Sequence, residues 1–137
     1  MSISVASRKA KGRRLQQWCC EQISRITGIP WGADDEIASR EMGQAGVDVR
    51  LSPRLRKLFP FSVECKAQET WAIPAFVRQA QTNKYPDTDW LLIVKRNHER
   101  PLAVIDAELF FYLVANTSNL NLRERISTAY NDGREES

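Results

Sequence analysis

Apolar and polar residues along the first half of the chain predict one helix followed by three short strands. Between residues 9 and 26 apolar side chains recur at helical spacing, which predicts an amphipathic helix that stops before Gly28. Stretches 46–51 and 61–66 alternate apolar and polar residues, as a strand with one buried face does, and a shorter strand is predicted at 37–40. The apolar face of the helix comprises Leu15, Trp18, Cys19, Ile23 and Ile26.

The second half of the chain predicts a helix, two strands and a further helix. Pro74 is suited to open a helix that ends before Pro86. Residues 90–95 form a continuous apolar run, as in the buried centre of a sheet, and another strand is predicted at 102–105. Asp106 is placed to cap a helix that extends to about residue 115. The residues that this helix is expected to bury are Leu109, Phe110 and Leu113.

This succession of elements predicts an α/β fold in which helices flank a mixed central β-sheet. The 137 residues are enough for one hydrophobic core. We therefore expect a single domain over residues 1–116, which includes a basic N-terminal segment. A polar C-terminal extension over 117–137 follows, with one short helix near 122–130.

Composition excludes several functional classes. Apolar content is 42% and charged content 27%, both ordinary for a globular protein. No apolar run approaches the roughly 20 residues that span a bilayer, and the start of the chain lacks the apolar centre of a signal peptide. We therefore expect no membrane association and a cytoplasmic location, in the host if the chain is phage-encoded. Three cysteines and one histidine fit neither a disulfide framework nor a zinc site.

Two stretches of the chain are rich in basic residues, although the net charge is only +3. One is the first 14 residues, which contain no acidic residue, and the other is a predicted hairpin loop over 52–60. Both stretches are either ordinary solvated surface or contacts to the phosphates of a nucleic acid. The candidate DNA-binding residues are Arg8, Lys9, Lys11, Arg13 and Arg14 in the first stretch and Arg54, Arg56 and Lys57 in the second.

The two alternating strands bring candidate chemistry to one face. If the strands are neighbours with their apolar residues on one core, then Asp48, Glu64 and Lys66 converge on the opposite face. Two carboxylates suit Mg2+, which prefers oxygen ligands and keeps several waters. The lysine is then suited to orient a water or to stabilise developing charge. The alternative is an ordinary exposed ion pair, which contributes only about 0 to 1 kcal/mol.

Asp48 followed by Glu64-Cys65-Lys66 resembles the metal-binding signature of the PD-(D/E)XK nuclease superfamily, although Val47 stands where a proline is often found. The resemblance implies a restriction-endonuclease-like core and a bound Mg2+, for which Mn2+ substitutes. It assigns the metal to Asp48, Glu64 and the backbone carbonyl of Cys65. It assigns to Lys66 the role of assisting the attacking water.

Two further patterns resemble branches of this superfamily. Ser39-Arg40 and the segment after it are similar to archaeal-type Holliday-junction resolvases, in which such residues contact the scissile strand. In that branch a glutamate usually lies where this chain has Gln16, which makes Gln16 a candidate metal ligand. Gln81 and Tyr85 resemble the Gln-x-x-x-Tyr motif of the RecB-type branch. That resemblance implies one helix near the active site, with Gln81 as a catalytic residue and Tyr85 as a DNA contact.

The sequence therefore predicts a Mg2+-dependent DNA endonuclease that hydrolyses phosphodiester bonds and selects branched DNA, as a Holliday-junction resolvase does. Symmetric cutting of a four-way junction implies a homodimer, for which Phe111 and Tyr112 are candidate contacts unless core packing claims them. The sequence leaves two alternatives. One is another PD-(D/E)XK nuclease, either a RecB-type exonuclease or a sequence-specific endonuclease. The other is a DNA-binding module that keeps the fold without catalysis.

Overall fold

The computed structural model describes residues 4–41, 43–117 and 122–135, except for the side chains of 129 and 131–135. The described chain falls into two compact units, Met1–Ile105 and Asp106–Ser137. The elements are α1 (Val5–Thr27), β1 (Ile37–Ser39), β2 (Val49–Leu51), α2 (Pro53–Leu58), β3 (Phe61–Ala67), α3 (Ile73–Asn83), β4 (Asp89–Lys95), β5 (Leu102–Val104), α4 (Ala107–Ala115) and α5 (Leu122–Glu135).

The described strands form an α/β arrangement of two small sheets. Strands β3, β4 and β5 make a mixed sheet, in which β3 and β4 are parallel and β5 is antiparallel to β4. Strands β1 and β2 make a separate antiparallel pair. The predicted fold class is thus confirmed at the level of a mixed sheet with flanking helices. The parallel pairing of β3 with β4 requires a crossover between them, and α3 lies in that connection.

Helix α1 lies along the apolar side of β3 and buries a stripe that differs from the predicted one. Leu15, Cys19 and Ile23 lie at i, i+4 and i+8 and are buried. Trp18 and Ile26 were predicted on the same face, and this is wrong, since they are 43% and 68% exposed. Each adjacent helical position is rotated by about 100°. The second buried row is therefore Gln16 and Cys20, and Trp18 is turned away from it.

Residues 53–58 form a short helix, α2, so the predicted hairpin loop at 52–60 is wrong. Ser52 is the N-cap, and its hydroxyl accepts a hydrogen bond from the Leu55 N–H at 3.3 Å. Pro53 follows in the first turn, where its missing N–H has no cost. Leu55 is fully buried and anchors the helix in the core. Ser52 and Pro53 therefore begin a helix rather than a loop.

The C-terminal unit begins with α4, whose predicted cap is confirmed. The Asp106 carboxylate accepts a hydrogen bond from the Leu109 N–H at 3.0 Å. The predicted burial of this helix is wrong, since none of its residues is buried, including Phe110 and Leu113. The helix ends in seven consecutive apolar residues, so its apolar side chains lie on all sides and it has no single packing face. The predicted domain boundary at residue 116 lies one helix further along the chain than the division at Asp106.

Within the described residues, no helix combines the length and the hydrophobicity needed to cross a membrane.

Candidate functional site

Asp48 is held against strand β3 by its own backbone and side chain. Its neighbours Val47 and Val49 are buried, so its side chain lies on the opposite side of the segment, as the alternation predicted. Its N–H donates to the carbonyl oxygen of Val63 at 3.2 Å. Its Oδ2 accepts a hydrogen bond from the N–H of Cys65 at 2.7 Å. These two bonds flank Glu64, and they bring Asp48 beside it although β2 pairs with β1 rather than with β3.

Glu64 lies on the polar face of β3, and this face is covered rather than open to solvent. Glu64 is 3% exposed. Its Oε2 accepts a hydrogen bond from the amide of Asn83, at the end of α3, at 3.3 Å. Two residues earlier on the same face, the hydroxyl of Ser62 accepts a hydrogen bond from the Tyr85 N–H at 2.9 Å. Helix α3 and the turn after it therefore supply partners for buried polar groups on this face.

Lys66 completes the group on the same face. Its Nζ lies 3.9 Å from Oε1 of Glu64, which makes a loose ion pair. The same ammonium lies 5.2 Å from the centroid of the Phe76 ring, within the range of a cation–π contact. The side chain is only 20% exposed, so α3 covers most of it. The ammonium is thereby confined beside the two carboxylates.

Ionisation of Asp48 and Glu64 is unfavourable in this site, and the pKa of each carboxyl group is raised. Burial, and then the nearby charge of Asp48, raise the pKa of Glu64 to about 7, against the opposing effects of Asn83 and Lys66. Burial also raises the pKa of Asp48, although the Cys65 N–H and the charges of Lys66 and Arg40 oppose the shift. The buried Glu64 and the half-buried Asp48 are therefore short of positive charge, and a divalent cation would supply it.

Arg40 is positioned beside Asp48 by the loop that precedes β2. The backbone N–H of Arg40 donates a hydrogen bond to the carbonyl oxygen of Asp48 at 2.9 Å. Its guanidinium donates a hydrogen bond to the carbonyl oxygen of Val47. Gly46 leaves room for this guanidinium, because a Cβ there would lie 3.0 Å from Cζ of Arg40. Gly46 also has φ +111°, which a side chain would strain. The loop thus places a cation near the carboxylates.

Gln16, the candidate metal ligand on α1, is buried and already has a partner. Its Oε1 accepts a hydrogen bond from the hydroxyl of Ser39 at 2.6 Å. Ser39 pairs in register with Val49, the residue after Asp48. The structure therefore brings Gln16 and Ser39 together one strand position from Asp48, with the amide oxygen engaged by the serine.

The predicted Gln81–Tyr85 pair does not lie on one helix, and this expectation is wrong. Helix α3 ends at Asn83, with Lys84 as its C-cap. Pro86 disfavours the helical conformation in the residue before it, Tyr85, so the helix ends ahead of Tyr85. Gln81 is exposed. The Tyr85 hydroxyl accepts a hydrogen bond from the Leu51 N–H at 3.4 Å, so Tyr85 supports the end of β2. Neither side chain makes a hydrogen bond with Asp48 or Glu64 among the described residues.

Asn83 is the residue of this site that the sequence reasoning missed. The signal for it is helical spacing, since Phe76, Ala80 and Asn83 lie at i, i+4 and i+7. Phe76 and Ala80 are buried, so the same face carries Asn83 toward the sheet. A polar residue on the packing face of a helix needs a buried partner, and Glu64 is that partner.

The candidate DNA-binding residues fall into two groups. In and next to α2, Arg54 is paired with Glu36, and Arg56 is paired with Asp87 and lies 4.3 Å from the centroid of the Tyr85 ring. Lys57 is exposed. The N-terminal group lies on α1, and within residues 4–41 and 43–117 its members form no salt bridge. This group consists of Arg8, Lys9, Lys11, Arg13 and Arg14.

The donor set at Asp48 and Glu64 fits a hard cation with few protein ligands. Among the described residues, no three or more His, Cys, Asp or Glu side chains lie together as a metal-binding cluster. Mg2+ does not need such a cluster, since one or two carboxylates, waters and substrate phosphate suffice. Oxygen donors and a shortage of positive charge are both present here.

Comparison of the chain with protein-family models, with curated proteins and with solved structures gives no match.

Proposed function

We propose that this chain is a Mg2+-dependent DNA endonuclease with a restriction-endonuclease-like core, which hydrolyses phosphodiester bonds. The observation that carries the proposal is the buried Glu64 with the half-buried Asp48 and Lys66 beside it. The Cys65 N–H holds one oxygen of Asp48 at 2.7 Å, and the Lys66 ammonium lies 3.9 Å from Glu64. An isolated surface ion pair needs neither this burial nor a second carboxylate.

The chain's own oxygens would hold the cation. The ligands are Asp48, Glu64 and the backbone carbonyl of Cys65, with Gln16 as a further candidate. Mn2+ is expected to substitute, because it accepts the same oxygen donors. When bound, the cation supplies a Lewis acid that polarises the phosphodiester and lowers the pKa of the attacking water.

The other residues of the site orient and stabilise the reacting groups. Lys66 donates hydrogen bonds to the attacking water and to the phosphate as negative charge develops on it. Asn83 fixes the rotamer of Glu64 through Oε2, which leaves Oε1 directed toward Lys66. Arg40, held beside Asp48 by the Gly46 loop, is suited to bind a phosphate oxygen of the substrate strand.

The expected substrate is DNA, and a branched structure is the proposed preference. The cations on the N-terminal part of α1 are available to phosphates, because they form no salt bridge within the described chain. A four-way junction cut symmetrically needs two active sites, so the proposal includes a homodimer. Phe111 and Tyr112 are exposed apolar residues on α4 that are suited to such a contact.

The test is cleavage of a labelled four-way junction, a linear duplex and a single strand, each with Mg2+ or with EDTA. Asp48→Ala and Lys66→Ala are compared with Asp34→Ala, which removes an exposed carboxylate elsewhere. Paired cuts in the junction that need metal and disappear only in the first two variants support the whole proposal. Equal cutting of all three DNAs removes the selectivity and keeps the nuclease. DNA binding without cutting under any condition overturns the nuclease and favours a binding module.

A further inference from the structure

A cavity of about 310 Å3 lies between α1 and the carboxyl ends of β3 and β4, on the opposite side of β3 from Glu64. Helix α1 contributes one stripe of its surface, at positions i, i+3, i+4 and i+7. These residues are Lys11, Arg14, Leu15 and Trp18. The strands contribute Ala67 and Lys95, which are register partners at the ends of β3 and β4. Carboxyl ends of parallel strands are the usual place for ligands in open α/β sheets.

The wall of this cavity carries positive charge and no acidic residue. Its cations are Lys11, Arg14, Lys95 and Arg96. Arg96 is partly engaged, since its guanidinium lies 4.4 Å from the centroid of the Trp71 ring and 4.0 Å from Glu99. Lys11 and Arg14 form no salt bridge in the part of the chain that the structure describes. The cavity therefore favours an anionic ligand.

Trp18 gives the cavity an aromatic surface that the fold does not use. It projects from α1 beside the buried stripe and remains 43% exposed. Any of the four bases can stack on such a ring, while neighbouring cations bind the phosphate of the same nucleotide. Cations alone fit any anion, whereas an exposed indole between cations and next to an apolar floor fits a nucleotide.

We propose that this cavity binds one unpaired nucleotide of the DNA, with the base on Trp18 and its phosphate between Lys11 and Arg14. The volume supports a single nucleotide, since small-molecule pockets span roughly 300–1,000 Å3 and this one lies at the lower end. A base that remains paired and stacked in a duplex does not present its face to a ring in the wall of a cavity. The inference rests on the proposed function, because it names the substrate feature that the nuclease selects.

The position of the cavity relates the unpaired nucleotide to the cut. Ala67 lines the cavity, and Lys66, the residue before it, belongs to the candidate site. Successive Cα atoms are about 3.8 Å apart, and their side chains leave a strand on opposite faces. A DNA strand that passes the carboxyl end of β3 thus places one nucleotide in the cavity and a nearby phosphate at Asp48 and Glu64. The substrate is DNA with an unpaired nucleotide at a branch, a bulge or a strand end.

The test is equilibrium binding in EDTA, which does not depend on catalysis. A fluorescein-labelled duplex with one bulged thymidine is compared with the same duplex without the bulge by fluorescence anisotropy. We expect the wild-type protein to bind the bulged duplex about tenfold more tightly, and Trp18→Ala to abolish this preference. Trp18→Phe retains a stacking ring and is expected to keep most of it. Thermal unfolding of each variant checks that the fold is intact.

A matched pair of charge variants separates the cavity from general attraction to phosphate. Lys11→Ala with Arg14→Ala is expected to lower the preference for the bulge. Lys9→Ala with Arg13→Ala removes the same charge from α1 outside the cavity. It is expected to weaken binding of the bulged and the unbulged duplex equally. Equal losses of preference in the two double variants would overturn the proposal.

Failure of this inference and failure of the nuclease proposal are distinguishable. A preference for the bulged duplex that depends on Trp18, in a protein that never cuts DNA, supports the cavity proposal and overturns the nuclease proposal. If the protein cuts DNA with metal and Trp18→Ala leaves the preference for the bulge unchanged, the cavity proposal is overturned and the nuclease proposal stands. Absence of any bulge preference in the wild-type protein, or of any binding to either duplex, also overturns the cavity proposal.

Discussion

The two faces of β3 are equally buried and chemically opposite. Glu64 is 3% exposed on one face and Val63 is 2% exposed on the other. On the apolar face, Cys65 contacts Cys19 of α1 through sulfur atoms 3.7 Å apart. On the polar face, Glu64 lies beside Asn83 and Lys66, which favour its charged form, and beside Asp48, which opposes it. Burial in this protein therefore does not indicate an apolar side chain. A carboxylate kept in a buried position at the expense of its charge is a candidate for function.

The largest effect is expected from Glu64→Gln, which removes the charge of the polar face and keeps its shape. We expect cleavage of DNA with Mg2+ to fall by about 10³-fold or more, since a neutral amide is a poor ligand for a hard cation. The glutamine oxygen still accepts the hydrogen bond from Asn83, so the fold is expected to remain. Single-turnover cleavage rates measure the effect.

The matched variant on the other face is Val63→Ala. It is expected to lower the free energy of unfolding by about 2 kcal/mol through lost apolar contacts, while the cleavage rate of the folded protein stays near wild type. The comparison of the two faces fails if Val63→Ala removes cleavage from a folded protein as completely as Glu64→Gln does.

The next effect is the pH dependence of stability without metal. The pKa of Glu64 is raised from 4.5 to about 7 in the folded protein, so between these values the folded state binds more protons than the unfolded state. Stability from this group is therefore full below pH 4.5 and decreases by about 3 kcal/mol as the pH rises through 7. Urea unfolding in EDTA at several pH values measures the loss.

Two controls sharpen this prediction. Glu64→Gln is expected to remove the decrease, because its side chain does not titrate. Mg2+ is expected to restore stability above pH 7 in the wild-type protein, because a ligand that binds only the folded state stabilises it. A wild-type curve with the same slope as the Glu64→Gln curve would contradict the raised pKa.

The smallest effect is expected from Asn83→Ala, which removes a partner of Glu64 without removing a charge. The hydrogen bond is long, at 3.3 Å, so we expect a rate loss of about tenfold and a loss of stability of about 1 kcal/mol. Gln81→Ala, two residues earlier and exposed, is the control and is expected to change neither. Rate losses in the reverse order would favour the Gln-x-x-x-Tyr interpretation over the one drawn from the contacts of Asn83.

Local patterns predicted the described helices and strands other than α2, and they predicted the two faces of the strands. The alternation in 46–51 and 61–66 was enough to expect Asp48, Glu64 and Lys66 on the side opposite Val47 and Val63, and the structure brings these three together. The roles assigned to them stay predictions. Side-chain alternation depends only on backbone geometry, so it is readable from the sequence wherever a strand forms.

Partners across the fold were not readable in the same way. The pairing of β2 with β1, and the single backbone bond that joins Asp48 to Val63, depend on contacts between segments far apart in the chain. Asn83 was missed because its partner lies 19 residues away. Helix α2 was predicted as a loop and the end of α3 was placed too late, because Ser-Pro and Tyr-Pro pairs fit either a turn or a helix boundary. Packing of Leu55 decided the first case.

The sequence by itself determined the order of the helices and strands other than α2 and the face of each strand, because both follow from local spacing. Only the tertiary structure decided that the polar face of β3 is covered by α3, which raises the pKa of Glu64. It also decided that Trp18 lies outside the core and beside four cations. Burial and neighbouring charge depend on which segments pack together, and that choice minimises exposed apolar surface over the whole chain.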